Sequence, residues 1–406
     1  MQPETVLKTW FGYDAFRPGQ RDVVDTILGG RDCLALLPTG AGKSICFQAP
    51  ALMQPGVTFV ISPLISLMED QVAHLQQNHI PAVCLNSSMS KHTYNRTLYD
   101  VGTGAYKLLY LSPERLQNQW FIRFAQENPP SFVVVDEAHC VSQWGHDFRP
   151  AYLKIRDFVE ALPKRPMYAA FTATATPEVR QDIIAGLGLK EPKVICRSFD
   201  RPNLYFKKQS PANKNRALLD FLEKETGRSG IVYCATHRNT EQVFRLLKDR
   251  GYRAARYHAG LAPGERQAVQ DAFLKDEIQI VAATSAFGMG IDKDRIRFVV
   301  HYNLPQSLEE YYQEAGRAGR DGKPARCLLF YSREDRMVAE ALARSQEKPE
   351  RALKLLGDLW KYCQYEGCLR NFILAYFGEE RTRNCGNCGF CCNDSFWDRV
   401  YKYFTK

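Results

Sequence analysis

The sequence predicts an α/β protein: two tandem domains, each a parallel sheet covered by helices, then a small helical, cysteine-bearing C-terminal unit. Three observations carry that prediction. Short apolar runs of strand length alternate with longer helical stretches as far as Phe330, the pattern of strands buried on both faces. One such run, Leu34–Leu37, leads straight into Pro38-Thr39-Gly40-Ala41-Gly42-Lys43-Ser44, a glycine turn that opens a helix. Six of the 13 cysteines fall between Cys363 and Cys392.

Size and composition bound the reading. A chain of 406 residues has room for two core-bearing domains and a third small unit. Its 45% hydrophobic and 24% charged residues are those of an ordinary globular protein. Met1-Gln2-Pro3-Glu4 lacks the basic start and apolar core of a secretory signal. No apolar run reaches the length of a bilayer crossing, so no membrane partner is expected. The expectation is an intracellular protein, cytoplasmic with the nucleoid or nuclear. A net charge of +9 leans towards a polyanionic partner. In a reducing compartment the cysteines do not form a disulfide framework. The seven scattered ones (Cys33, Cys46, Cys84, Cys140, Cys196, Cys234 and Cys327) read as small buried apolar residues.

In the first domain, residues 1–200, the strand-like runs include Thr58–Ile61, Leu108–Tyr110, Phe132–Val135 and Met167–Phe171. The pattern breaks at Ser198–Asn203, followed by the polar segment Gln209–Asn215. The second domain, residues 201–335, resumes with Gly230–Tyr233, Gln279–Ala282 and Phe298–His301. Residues 336–406 form the cysteine-bearing unit.

Gly40 and Gly42 let the backbone turn tightly, so the unpaired N–H groups at the start of the next helix can cradle phosphate oxygens. Lys43 would reach the β- and γ-phosphates, and the Ser44 hydroxyl would coordinate Mg²⁺. Leu37 stands where the usual pattern has its first glycine. Val133-Val134-Val135-Asp136-Glu137 is a buried strand ending in two carboxylates. Ligands of open α/β sheets sit at that end of the strands. Asp136 could hold Mg²⁺ together with Ser44, and Glu137 could orient or deprotonate the attacking water. An acidic pair at a strand end is most often a cap; beside a phosphate loop the catalytic reading prevails.

Asp136-Glu137-Ala138-His139 after a phosphate loop resembles the DEAH-type helicases of the second superfamily. Further segments narrow the resemblance to the RecQ family of DNA helicases. They are Phe16-Arg17-Pro18-Gly19-Gln20, Ser62–Gln71, Ser112-Pro113-Glu114-Arg115, His139–Pro150, Phe171–Ala175, Ala286–Lys293 and Gln313–Gly322. They occur in the family's order and cover nearly the whole chain.

The resemblance implies two RecA-like domains with ATP and Mg²⁺ between them, and 3′-to-5′ movement on single-stranded DNA or at single-strand/duplex junctions. It implies catalytic roles for Lys43, Asp136, Glu137 and His139, with Arg320 as an arginine finger assisted by Arg317. Arginine disperses the charge of a transferring phosphoryl group. Gln20 would read adenine, its amide offering donor and acceptor side by side, with Tyr13 and Arg17 beside the base. The loop from Gln143 to Pro150 carries Gln143, Trp144, His146, Phe148 and Arg149 as DNA contacts, since aromatic faces stack on unpaired bases. The alternative for Trp144 and Phe148 is packing between domains.

Cys385, Cys388 and Cys391, at C-x2-C-x2-C spacing, plus one upstream cysteine can give four thiolates for a tetrahedral Zn²⁺. Spacing alone neither chooses between Cys363 and Cys368 nor excludes Cys392, and iron–sulfur clusters use similar spacings. Resemblance to the RecQ zinc module implies Cys368, Cys385, Cys388 and Cys391. Family members often continue into a winged-helix domain. This sequence stops at Lys406, and that domain's functions are not carried over. An RNA helicase and a zinc-stapled nucleic-acid binder without ATP turnover are the competing readings. The set Lys43, Asp136, Glu137 and Arg320 argues against the second.

Overall fold

The computed structural model describes residues 2–38, 40–86, 89–145, 147–288 and 293–392. Thr39 and His146, expected at the nucleotide and DNA sites, lie outside them, as do residues 289–292 of the segment Ala286–Lys293. The chain divides into two compact units between Ser198 and Phe199.

The first unit holds a seven-stranded sheet. Its strands are β1 (Cys33–Leu36), β2 (Thr58–Ile61), β3 (Ala82–Leu85), β4 (Leu108–Leu111), β5 (Phe132–Val135), β6 (Met167–Thr172) and β7 (Lys193–Cys196). The order is β3-β4-β2-β5-β6-β1-β7, with every pairing parallel. β1, β2, β4 and β5 are buried at all four positions, which is why they read as near-continuous apolar runs. The edge strand β7 is exposed at three of its four positions and carries no such run. β6 lies between β1 and β5, pairing Leu36 with Thr172 and Val135 with Ala170. The phosphate loop and the acidic pair therefore leave the same sheet edge two strand spacings apart, ~10 Å.

The second unit holds a six-stranded parallel sheet. Its strands are β8 (Leu204–Gln209), β9 (Ser229–Tyr233), β10 (Ala254–Tyr257), β11 (Ile280–Ala283), β12 (Ile296–His301) and β13 (Ala325–Phe330), in the order β10-β11-β9-β12-β13-β8. The cysteine-bearing segment belongs to this unit. Arg370, 2% exposed, pairs with Asp200 at 2.8 Å and donates to the carbonyls of Arg201 and Leu204. Phe377 stacks on Phe199 at 4.6 Å between ring centroids. The N–H of Gly389 donates to the carbonyl of Phe206 on β8.

Candidate nucleotide, nucleic-acid and metal sites

The phosphate loop follows from its local sequence. Gly40 and Gly42 adopt φ of 82° and 75°, a region that costs glycine nothing and other residues a steric penalty. Gly42 caps the helix Lys43–Met53, so Lys43 and Ser44 open its first turn with their N–H groups unsatisfied by the helix. The loop is held from outside. The Gln20 amide donates to the carbonyls of Ala41 (2.9 Å) and Gly42 (3.0 Å), while its oxygen accepts from the N–H of Arg17. Arg17 in turn donates to the carbonyl of Gly40 at 2.7 Å. Gln20 is 3% exposed and Tyr13 is 49% exposed. Of the three residues expected around adenine, Gln20 and Arg17 thus brace the phosphate loop in this state.

Across β6, Lys43 Nζ lies 3.9 Å from Glu137 Oε1. Burial, reinforced by the adjoining Glu137 carboxylate, pushes the Asp136 carboxyl up to about 6, against the opposing pull of Lys43 and the Glu137 N–H. A buried carboxyl held above its ordinary range fits a cation ligand, because a bound ion restores the anion. Glu137 takes a left-handed backbone, φ 46° and ψ 47°, and this turns its side chain out of the strand line. The hydroxyl of Thr172 donates to Thr174 O and thus accepts from His139 Nδ1 at 2.9 Å. His139 Nδ1 also lies 3.3 Å from Glu137 Oε2, and so ties the acidic pair to the end of β6.

The aromatic loop is rooted in the same unit. Ser142 Oγ donates to Asp182 at 2.5 Å and accepts from the N–H of Trp144. A Cβ at Gly145 would meet the carbonyl of His139 at 2.4 Å, so only glycine lets the turn close there. Arg149 pairs with Asp147 at 3.2 Å and donates to the carbonyl of Pro63 at 2.7 Å, joining this loop to the one after β2. Trp144 is 48% exposed, Gln143 is exposed and Phe148 is half-buried.

In the second unit the arginine loop follows the helix Leu308–Ala315. Arg317 is buried and donates to the carbonyl of Gly288. Arg201 bonds the carbonyls of Gly316 (3.2 Å), Ala318 (3.1 Å) and Gly319 (3.0 Å), and Asn203 bonds that of Gly319 at 2.8 Å. These two braces lie in the segment that sequence reasoning treats as a break between domains. Their polarity is its visible signal.

The sulfurs of Cys368, Cys385, Cys388 and Cys391 all lie within 4.8 Å of one another. A tetrahedral ion with bonds of ~2.3 Å separates its ligands by ~3.8 Å, and Cys385 and Cys391 stand 3.8 Å apart. So close a set has room for one ion; the irons and sulfides of a multi-iron cluster would force it wider. The N–H groups of Cys385 and Asn387 point at the sulfurs of Cys368 and Cys385, both at 3.3 Å, as outer-shell donors to thiolates do. Cys363 lies outside the group, and Cys392 turns its thiol to the carbonyl of Gly386.

Three family profiles match the chain in succession: DEAD/DEAH box helicase over residues 17–183, helicase conserved C-terminal domain over 213–322, and RecQ zinc-binding over 331–392. The Bacillus subtilis (strain 168) ATP-dependent DNA helicase RecQ is 46% identical over 392 residues, 96% of this chain and 66% of the relative. The chain belongs to the RecQ helicase family. It spans somewhat less than two thirds of the length of that and other bacterial RecQ relatives. A relative from Acanthamoeba polyphaga mimivirus, provisionally named an ATP-dependent RNA helicase, is 40% identical over 95% of this chain and 71% of its own. The structure of Saccharomyces cerevisiae Dbp5 bound to RNA and ADP BeF3 has the same RecA-like fold. It matches with a TM-score of 0.69 at 19% identity, covering 99% of this chain and 96% of that one.

Proposed function

We propose that this protein is an ATP-dependent DNA helicase that moves 3′ to 5′ on single-stranded DNA and opens duplex at junctions, in repair or recombination. The observation that carries the reading is the proximity of Lys43, at the head of a glycine-turned helix, to Glu137 beside the buried Asp136. A protein that only bound nucleic acid would have no use for that set. In this reading the N–H groups from Gly40 to Ser44 and the Lys43 ammonium hold the phosphates of ATP. Ser44 and Asp136 would hold Mg²⁺, which neutralises phosphate charge. Glu137 orients and deprotonates the attacking water, while His139 reports its position to the end of β6. Arg320, with Arg317, answers the charge of the transferring phosphoryl group. Tyr13, Arg17 and Gln20 take the base, and this requires Gln20 to give up a loop carbonyl.

Gln143, Trp144, Phe148 and Arg149, with His146, make the DNA surface of the first unit. Contacts there are mainly to backbone and base faces, so affinity falls with salt and varies little with sequence. Zn²⁺ on Cys368, Cys385, Cys388 and Cys391 is structural, since four thiolates leave no open position. The test is steady-state ATP hydrolysis without nucleic acid, with single-stranded DNA and with RNA. Stimulation by DNA is expected; stimulation by RNA alone would transfer the reading to an RNA helicase, and no hydrolysis would reduce it to a binder.

A further inference from the structure

His301 ends β12 and Glu314 lies in the last turn of the helix Leu308–Ala315. His301 Nε2 and Glu314 Oε2 are 2.8 Å apart, and the two residues are 1% and 5% exposed. The imidazole is sandwiched between Tyr233, stacked at 5.5 Å between ring centroids, and Tyr311 at 4.8 Å. Burying two ionisable groups is costly unless they satisfy one another. A pair placed so deep calls for an explanation in what it holds.

What it holds is the arginine loop. The N–H of Arg317 donates to the carbonyl of Glu314 at 3.2 Å, so the backbone of Arg317 follows the rotation of this helix. The guanidinium donates to Gly288 O, and a Cβ on Gly288 would lie 2.4 Å from Arg317 Nε. The arginine therefore lies flat on the loop after β11. Tyr233, from β9, donates its hydroxyl to the neighbouring carbonyl of Phe287 at 2.8 Å. One buried polar chain thus joins the ends of β9 and β12, the loop after β11 and the arginine loop. Within it, the link between His301 and Glu314 fixes the helix against the sheet.

We propose that Glu314 and His301 are a positioning pair for the arginine loop, setting Arg317 and through it the loop at Gly288. The proposal rests on the reading of Arg317 and Arg320 as the arginines that act on ATP. Burial favours the uncharged form of both partners, lifting the Glu314 carboxyl and depressing the His301 imidazole. The charged and titratable groups facing them are Glu310 and Arg317 on the helix and its following turn, with Tyr233 and Tyr311. Neutral glutamine should then replace Glu314 well, and alanine should not.

The test is ATP turnover with saturating single-stranded DNA for Glu314→Ala, Glu314→Gln, His301→Phe and Arg320→Ala. We expect Glu314→Ala and His301→Phe to lose roughly 30-fold in kcat with KM for ATP within about threefold, and Glu314→Gln to stay within about threefold in both. Should Glu314→Ala not fold, His301→Phe carries the same expectation. A kcat near the parent value in His301→Phe, or a glutamine variant as impaired as the alanine one, would overturn the pair. Arg320→Ala separates the two ideas. Full turnover in that variant would sink the reading of the arginine loop and this proposal with it. Lost turnover there, beside normal kcat in His301→Phe, would sink the pair alone.

Discussion

Arg201 donates to the carbonyl of Gly319 across 118 positions of sequence, at 3.0 Å. Two more bonds from the same guanidinium reach Gly316 and Ala318. A charged donor shared among three carbonyls stiffens the loop that carries Arg317 and Arg320. Arg201→Ala is expected to loosen it, each lost charged hydrogen bond being worth ~1.5–3 kcal/mol. Turnover should fall about tenfold or more while ATP binding holds, as an ATP titration beside a rate measurement would reveal.

On the proposed reading Glu137 is the general base, 3.9 Å from the Lys43 ammonium, and Glu137→Gln keeps its shape while removing the base. The expected result is a turnover loss on the order of 10²-fold or more with ATP still bound. Hydrolysis at the parent rate would remove Glu137 from that role.

Trp144 stands half-exposed on a loop rooted by Ser142 and Asp182. Base stacking on an aromatic face is worth ~1–3 kcal/mol, so Trp144→Ala should cut the DNA stimulation of hydrolysis by roughly tenfold. A variant stimulated as strongly as the parent would take Trp144 off the DNA surface.

The pair His301 and Glu314 makes a pH prediction. Its carboxyl is raised from 4.5 to about 8 by burial, so the folded state binds the extra proton and stability is lost as pH rises from 4.5 through 8. The imidazole is depressed from 6.5 to about 3, so stability is lost as pH falls from 6.5 through 3. The two effects cancel between 4.5 and 6.5, leaving an acid limb below and an alkaline limb above. Glu314→Gln should abolish the alkaline limb and keep the acid one. Hydrogen exchange of the helix Leu308–Ala315, compared between parent and variant at each pH, reads the difference directly. Parallel curves up to pH 8 would contradict it.

The four thiolates predict one zinc per chain and a colourless protein. Stripping the metal should lower the melting temperature of the second unit by roughly 10 °C, at ~2–4 °C per kcal/mol for a unit of this size. Metal analysis beside calorimetry decides it, and visible absorption would point to iron instead.

How much of this is legible in the sequence depends on distance along the chain. The phosphate loop, the acidic pair and three of the four clustered cysteines are each contiguous, so residue type and spacing expose them. The buried strands read as apolar runs for the same reason. β7 and β8 do not, because edge strands such as Lys193–Cys196 and Leu204–Gln209 mix charged and apolar residues. Arg201, Asn203 and Arg370 escape notice because their meaning lies in partners more than a hundred positions away. His301 reads as the last residue of a strand until Glu314 is seen against it. Gln20 teaches the converse. Its motif points to a base, while its amide in this fold is occupied by Ala41 and Gly42.

β8 is the outermost strand of its sheet, and the turn through Cys388 and Gly389 lies along its open side, bridging to Phe206. An uncovered strand edge is a template for pairing with another chain. The turn through the clustered cysteines therefore covers part of that edge as well as fastening the C-terminal segment to the sheet. Losing the metal would then expose a sticky edge, and a zinc-depleted preparation should show its defect first as concentration-dependent oligomers in light scattering.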